Sequence, residues 1–168
     1  AVDLLMKAKR PIIYGGGGII NSGPEASRLV TEFVRRSGFP CTLTLMGLGA
    51  VPAADPHFLG MLGMHGTYEA NMAMHDCDVM FAIGSRFDDR VTGRLNAFSP
   101  NSRKIHVDID PSSINKNVRV EVPIVGDVAQ TMKAILAEWD RRRAEPDRKA
   151  LAAWWEQVEA WRARKCFA

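Results

Sequence analysis

Four consecutive glycines, Gly15, Gly16, Gly17 and Gly18, follow a short apolar run. Such a turn lets the main chain come close to a ligand. Free N–H groups there, and at the start of a following helix, are suited to a pyrophosphate. The spacing Gly16-x-Gly18-x-x-Asn21 departs from the dinucleotide fingerprint, because Asn21 stands where a third glycine belongs. Taken alone, the motif is equally well a tight strand-to-helix turn. Other segments also carry binding chemistry just after an apolar run: Thr44-Leu45-Met46-Gly47, Gly84-Ser85-Arg86-Phe87-Asp88, Asp108-Ile109-Asp110 and Gly126-Asp127. The loop with Arg86, Asp88, Asp89, Arg90 and Arg94 can be a set of self-paired charges. Its arginines can instead present planar forks to a phosphate or a ring carbonyl, and that reading is favoured for Arg86 and Arg90. Asp108 is placed to accept hydrogen bonds from ribose hydroxyls. Asp110, just before Pro111, reads as a turn residue. Asp127 can cap a helix and still face a ligand.

The histidines His57, His65, His75 and His106 show no tight ligand spacing, so a metal site is not expected. His65, in the stretch 62–67, lies against a ring system or is simply a loop residue. No GxSxG and no acid–base pair stand out, which leaves hydrolase chemistry without support.

These residues need a scaffold that brings strand ends together. Apolar runs at residues 11–14, 40–45, 58–62, 78–83, 104–110 and 122–125 read as strands. Helical patterns alternate with them, at residues 1–9, 24–36, 68–75 and 127–139. Pro24 suits a first helical turn, and Gly38 suits a helix end. Strands alternating with helices imply parallel βαβ units. The expected fold is therefore α/β, a doubly wound, mostly parallel sheet of five or six strands with helices on both faces. In such sheets ligands bind outside the carboxyl ends of the strands. Residues 141–149 are charged and contain a proline, so they read as a linker. A further helix is expected over residues 151–165. Its Trp154, Val158 and Trp161 share one face, which docks either on this domain's own core or on a neighbouring domain.

The chain has 168 residues, 46% of them hydrophobic and 24% charged, which fits one soluble domain. A net charge of +3 argues for neither nucleic acid nor a membrane surface. Cys41, Cys77 and Cys166 form no CxxC pair, and their odd number suits a reducing, cytoplasmic setting. No apolar run approaches the roughly 18–20 residues that span a bilayer. The chain begins without Met, inside a helical pattern, and is expected to be a piece of a longer one.

The stretch Leu62-Gly63-Met64-His65-Gly66-Thr67, with Arg86-Phe87-Asp88-Asp89-Arg90-Val91-Thr92-Gly93, resembles the acetolactate synthase (acetohydroxyacid synthase) large subunit. Thr44 to Gly49, His106-Val107-Asp108-Ile109-Asp110, Gly126-Asp127 and the tryptophan-rich tail fit the same pattern. The resemblance implies the central, FAD-binding domain of a three-domain thiamine-diphosphate enzyme. The whole enzyme decarboxylates pyruvate and joins the two-carbon product to a second 2-keto acid, in branched-chain amino acid synthesis. It also implies a homo-oligomer with a small regulatory subunit, and thiamine diphosphate and Mg bound by the other two domains.

By the same resemblance, Gly15, Gly16 and Gly17 cradle the FAD phosphates, while Thr44, Leu45 and Met46 line the cofactor. Leu62, Gly63, Met64 and His65 approach the flavin. Gly84, Ser85, Arg86, Asp88, Arg90 and Val91 follow its length, and Asp108, Ile109, Asp127 and Val128 meet the adenosine. Residues 1–140 are expected to form this domain, with 141–168 leading to a thiamine-diphosphate domain. No GDG motif with a downstream Asn pair is present, so no carboligase activity and no catalytic residue are expected of the chain alone. The competing reading is a stand-alone module that binds ADP or NAD.

Overall fold

The computed structural model describes residues 1–165, so Cys166 lies outside the described residues. Six strands form one sheet: β1 (Pro11–Gly15), β2 (Cys41–Leu43), β3 (Phe58–Met61), β4 (Val79–Ile83), β5 (Arg103–Asp108) and β6 (Val122–Val125). Their order is β3-β2-β1-β4-β5-β6, and every pairing is parallel. The order reverses between β1 and β4, which pair along their full length from Pro11↔Val79 to Gly15↔Ile83. Every residue of β1, β2 and β4 is buried, which explains why those strands read as unbroken apolar runs. β6 is an edge strand, and there Pro123 is tolerated.

Side chains alternate across the sheet, so β1 and β4 feed two cores. Ile13, Phe81, Ile83, Ile105 and Val107 face α1 (Val2–Met6), α3 (Pro24–Ser37) and α6 (Val128–Arg141). Ile12, Tyr14, Met80 and Ala82 face α4 (Tyr68–Asp76) and α7 (Arg148–Arg162). The sheet is thus covered on both sides, as expected. Helix α3 opens with Pro24 and closes at Gly38, whose φ of +71° is the left-handed cap that glycine favours.

Helix α7 packs on this sheet. Trp154 Nε1 donates to Pro11 O at 3.0 Å, and Trp155 Nε1 donates to Gly38 O at 2.8 Å. Trp154, Val158 and Trp161 are buried in the second core. Of the two docking surfaces open to that face, the helix takes the domain's own. The connection from α6 is short, since α6 runs to Arg141 and α7 begins at Arg148.

Three local expectations need correction. The second strand ends at Leu43, because Thr44 caps a 3₁₀ turn over Leu45–Gly47 through its side chain. The fifth strand ends at Asp108, where Asp110 accepts from Ser112 N and starts another 3₁₀ turn. The glycine stretch is more than a turn, since Gly17–Asn21 forms a short helix, α2.

Candidate functional site

Because all strands run the same way, their C-terminal ends lie along one edge. Gly16 N donates to Ile83 O and Gly18 N donates to Gly84 O, both at 2.9 Å, joining the β1 and β4 turns. The contact leaves no room for side chains. A β-carbon on Gly16 would lie 2.5 Å from Ser85 Cα, and one on Gly18 would lie 2.7 Å from Gly84 Cα. Gly84 has a φ of +56°, a second reason for glycine there. The β2 turn closes on the same place. Thr44 N donates to Gly15 O at 2.9 Å, and a β-carbon on Gly47 would lie 2.9 Å from that same oxygen.

The loop 62–66 is held from helix α4. Asn71 Oδ1 accepts from Gly63 N at 2.8 Å while Asn71 Nδ2 donates to Gly63 O at 3.0 Å. Met64 N then donates to Arg90 O at 3.1 Å, so this loop abuts α5 (Asp89–Thr92). On the other side of the switch point, His106 on β5 reaches Ser85 O with Nε2 at 2.8 Å. Its Nδ1 is buried with no hydrogen-bond partner among the described residues. Since a carbonyl only accepts, Nε2 carries a proton, and a second proton on the buried Nδ1 would find no acceptor among the described residues, which favours the neutral ring. Burial pushes the His106 pKa down, against the raising effects of the Ser85 carbonyl and of Asp108. The 3.8 Å approach of His106 Nε2 to Asp108 is therefore a dipole contact rather than an ion pair.

Asp108 accepts from Asp110 N at 2.9 Å through Oδ1, and its second oxygen makes no hydrogen bond among the described residues. Asp110 spends both oxygens on its own turn, accepting from Ser112 N, Ser112 Oγ and Ser113 Oγ. Asp127 is also committed. It accepts from Gln130 N at 3.0 Å as the cap of α6, and from Ser22 Oγ at 2.6 Å. The Ser22 hydroxyl and the Gln130 amide hold its carboxyl below the usual carboxylate range.

Side-chain exposure sorts the expected site residues. Leu45, Met46, Met64 and Ile109 are exposed although apolar, at 69%, 75%, 63% and 70%. Arg86 and Arg90 extend outward, with 72% and 77% of their side chains exposed and only long contacts to Asp88 and Asp89. Leu62, Ser85 and Val128 are buried, main chain included, and lie beneath the surface of the strand tips. One cavity lies behind the loop 62–66, lined by Leu62, Asn71, Val91 and Phe98 among others, and so reaches two of the expected site residues, Leu62 and Val91; another is on the outer side of α3.

The residues singled out after each strand are thus brought to one edge. Sequence reasoning missed the side chains that hold them there: Tyr14, Ser22, Asn71 and Asn117. Tyr14 carried a weak signal, as a hydroxyl inside an apolar strand needs a buried partner. The two asparagines carried none.

The family described as thiamine pyrophosphate enzyme, central domain, matches residues 1–135. The chain is 47% identical over 166 residues to the acetolactate synthase isozyme 3 large subunit of Escherichia coli, covering 99% of this chain and 29% of that protein. It is 46% identical over 168 residues to the acetolactate synthase large subunit of Haemophilus influenzae, covering 99% and 28%. A probable acetolactate synthase large subunit of Methanocaldococcus jannaschii is 49% identical over 138 residues, covering 82% and 23%. The chain spans less than a third of the length of these relatives. A switch-point sheet with interlocked glycine turns, matched by the family over most of its length, leads to one conclusion: this chain belongs to the thiamine pyrophosphate enzyme central-domain family.

Proposed function

We propose that this chain serves as the central domain of an acetolactate synthase large subunit, and that the groove along its strand tips holds FAD. One observation carries the cofactor reading. Glycines without room for a β-carbon close the β1, β2 and β4 turns onto one another, and exposed apolar side chains and two outstretched arginines surround them. Large exposed apolar side chains grouped beside outstretched, loosely paired arginines fit a ring system with phosphates.

In this reading Gly15, Gly16 and Gly17 form the turn under the phosphates: Gly15 and Gly16 are buried, with the Gly16 N–H held by Ile83 O, and Gly17 is the part left at the surface. Thr44, Leu45 and Met46 supply an apolar wall. Gly63, Met64 and His65, carried by the buried Leu62, bound the flavin end. Gly84, Ser85, Arg86, Asp88, Arg90 and Val91 run along the cofactor. Asp108 offers its free oxygen to a ribose hydroxyl, beside Ile109. Asp127 and Val128 contribute mainly by fixing the end of the groove, since the Asp127 oxygens are taken. Bound there, FAD supplies shape and polarity to the cleft rather than a redox step.

Domains on either side would complete the subunit and bind thiamine diphosphate and Mg, in a cytoplasmic homo-oligomer with a regulatory subunit. The complete enzyme would join two 2-keto acids in branched-chain amino acid synthesis. The second reading, a stand-alone ADP or NAD module, shares the phosphate cradle but gives the exposed Leu45, Met46 and Met64 no ring to cover.

Isothermal titration separates the two. FAD is expected to bind well ahead of ADP and NAD, and Arg86→Ala is expected to weaken it about tenfold, the order of one charged hydrogen bond. ADP or NAD binding well ahead of FAD would favour the second reading.

A further inference from the structure

Three consecutive carbonyls after β4 are each taken by a side chain from a different part of the fold. His106 Nε2 on β5 donates to Ser85 O at 2.8 Å. The Tyr14 hydroxyl on β1 donates to Arg86 O at 2.9 Å. Asn117 Nδ2, between β5 and β6, donates to Phe87 O at 2.8 Å. In an extended chain successive carbonyls point to opposite sides, and the donors alternate to match: His106 and Asn117 come from the β5 side, Tyr14 from β1 on the other side of β4. The segment follows Gly84, which ends β4 with a positive φ.

The same residues hold the buried ring of this segment. Phe87 packs 5.8 Å from Tyr14, 5.1 Å from His106 and 6.0 Å from Phe98, between ring centroids. With its carbonyls and the Phe87 ring held inside, the segment sends Arg86 outward. The N–H groups of Arg86, Phe87 and Asp88 donate to no acceptor among the described residues.

We propose that Tyr14, His106 and Asn117 are positioning residues that fix the main chain of residues 85–87, so that Arg86 and the neighbouring N–H groups meet acceptor atoms of the bound cofactor. This rests on the FAD reading above. None of the three needs to touch the cofactor. Their effect is to remove the conformational freedom that binding would otherwise have to freeze.

Tyr14→Phe and Asn117→Leu, alone and together, test the clamp with two readouts on the purified chain. The first is the ¹⁵N order parameter of the Arg86, Phe87 and Asp88 amides without ligand, expected to drop from roughly 0.85 to under about 0.6 in the double variant. The second is the FAD dissociation constant, expected to rise about fivefold for each single change, as for one neutral hydrogen bond. Ile135→Val, in the opposite core, serves as the comparison for simple loss of stability. It is expected to lower the melting temperature while leaving both readouts in place. Unchanged order parameters and FAD affinity in the double variant would overturn the proposal, and so would an equal loss in Ile135→Val. If the unsubstituted chain takes up no FAD, the cofactor reading fails, and the order parameters alone then decide whether the clamp exists.

Discussion

A methyl group on Gly16 has nowhere to go. Its backbone φ of −121° is ordinary for any residue, so the constraint is space and not strain. The nearest atoms are main-chain atoms of Gly84 and Ser85, which cannot swing aside as a side chain can. Gly16→Ala is therefore expected to lower stability by about 1–3 kcal/mol, as overpacking does, and to pry the β1 turn from the β4 turn. Urea unfolding checks the first effect. His106 gives a pH signature. Burial keeps its folded pKa below the ordinary imidazole value of about 6.5, so the unfolded chain takes up the proton first as pH falls. Its contribution to stability is whole above about pH 6.5 and declines below it, until the lower folded pKa is reached. Urea midpoints between about pH 7.5 and 5.5 are expected to fall for the parent and to fall less for His106→Gln. The same slope in both would refute this assignment. At this scale the sequence was readable where residue type alone speaks, as with Asp110 in its turn and Pro24 and Gly38 at the ends of α3. It was silent on the clamp, because Tyr14 and Arg86 are 72 positions apart and a single hydroxyl carries no address.

Helices α2 and α6 begin and end against each other. Ser22, which caps the end of α2, donates to Asp127 Oδ2 and accepts from Ala129 N at 3.1 Å, so it also serves as a second cap for α6. Ser22→Ala is expected to cost about 1 kcal/mol, the usual worth of a cap. Helix α7 has a larger stake. Trp154 is buried and its indole N–H is spent on Pro11 O, so Trp154→Ala is expected to cost about 3–5 kcal/mol, read from denaturant midpoints. The long strands were legible, since continuous apolar runs are what a sheet covered on both faces requires. Helix α2 was not, because glycine is a poor helix former and Gly17 and Gly18 are helical only through contact with Met46 and the Gly84 turn. The docking of α7 was not legible either. An apolar face at helical spacing says that something covers it, without saying what.

For the molecule as a whole, the decisive property is the parallel order β3-β2-β1-β4-β5-β6. It sends every strand tip to one edge and puts the reversal of order beside Gly16 and Gly84, so residues spread along the chain come to that edge. That much followed from the alternation of strand and helix in the sequence. With thiamine diphosphate, Mg and pyruvate supplied, the purified chain is expected to form no acetolactate, and a measurable rate would contradict the division of labour proposed here. The most direct test of the central claim is the mapping of amide chemical shifts during titration with FAD, which reports weak binding as well as strong. A connected set of shifts is expected at Gly16, Met46, Gly63, Arg86 and Asp108. Shifts confined to the opposite edge, around Arg10 and Asp78, or none at saturating FAD, would contradict it.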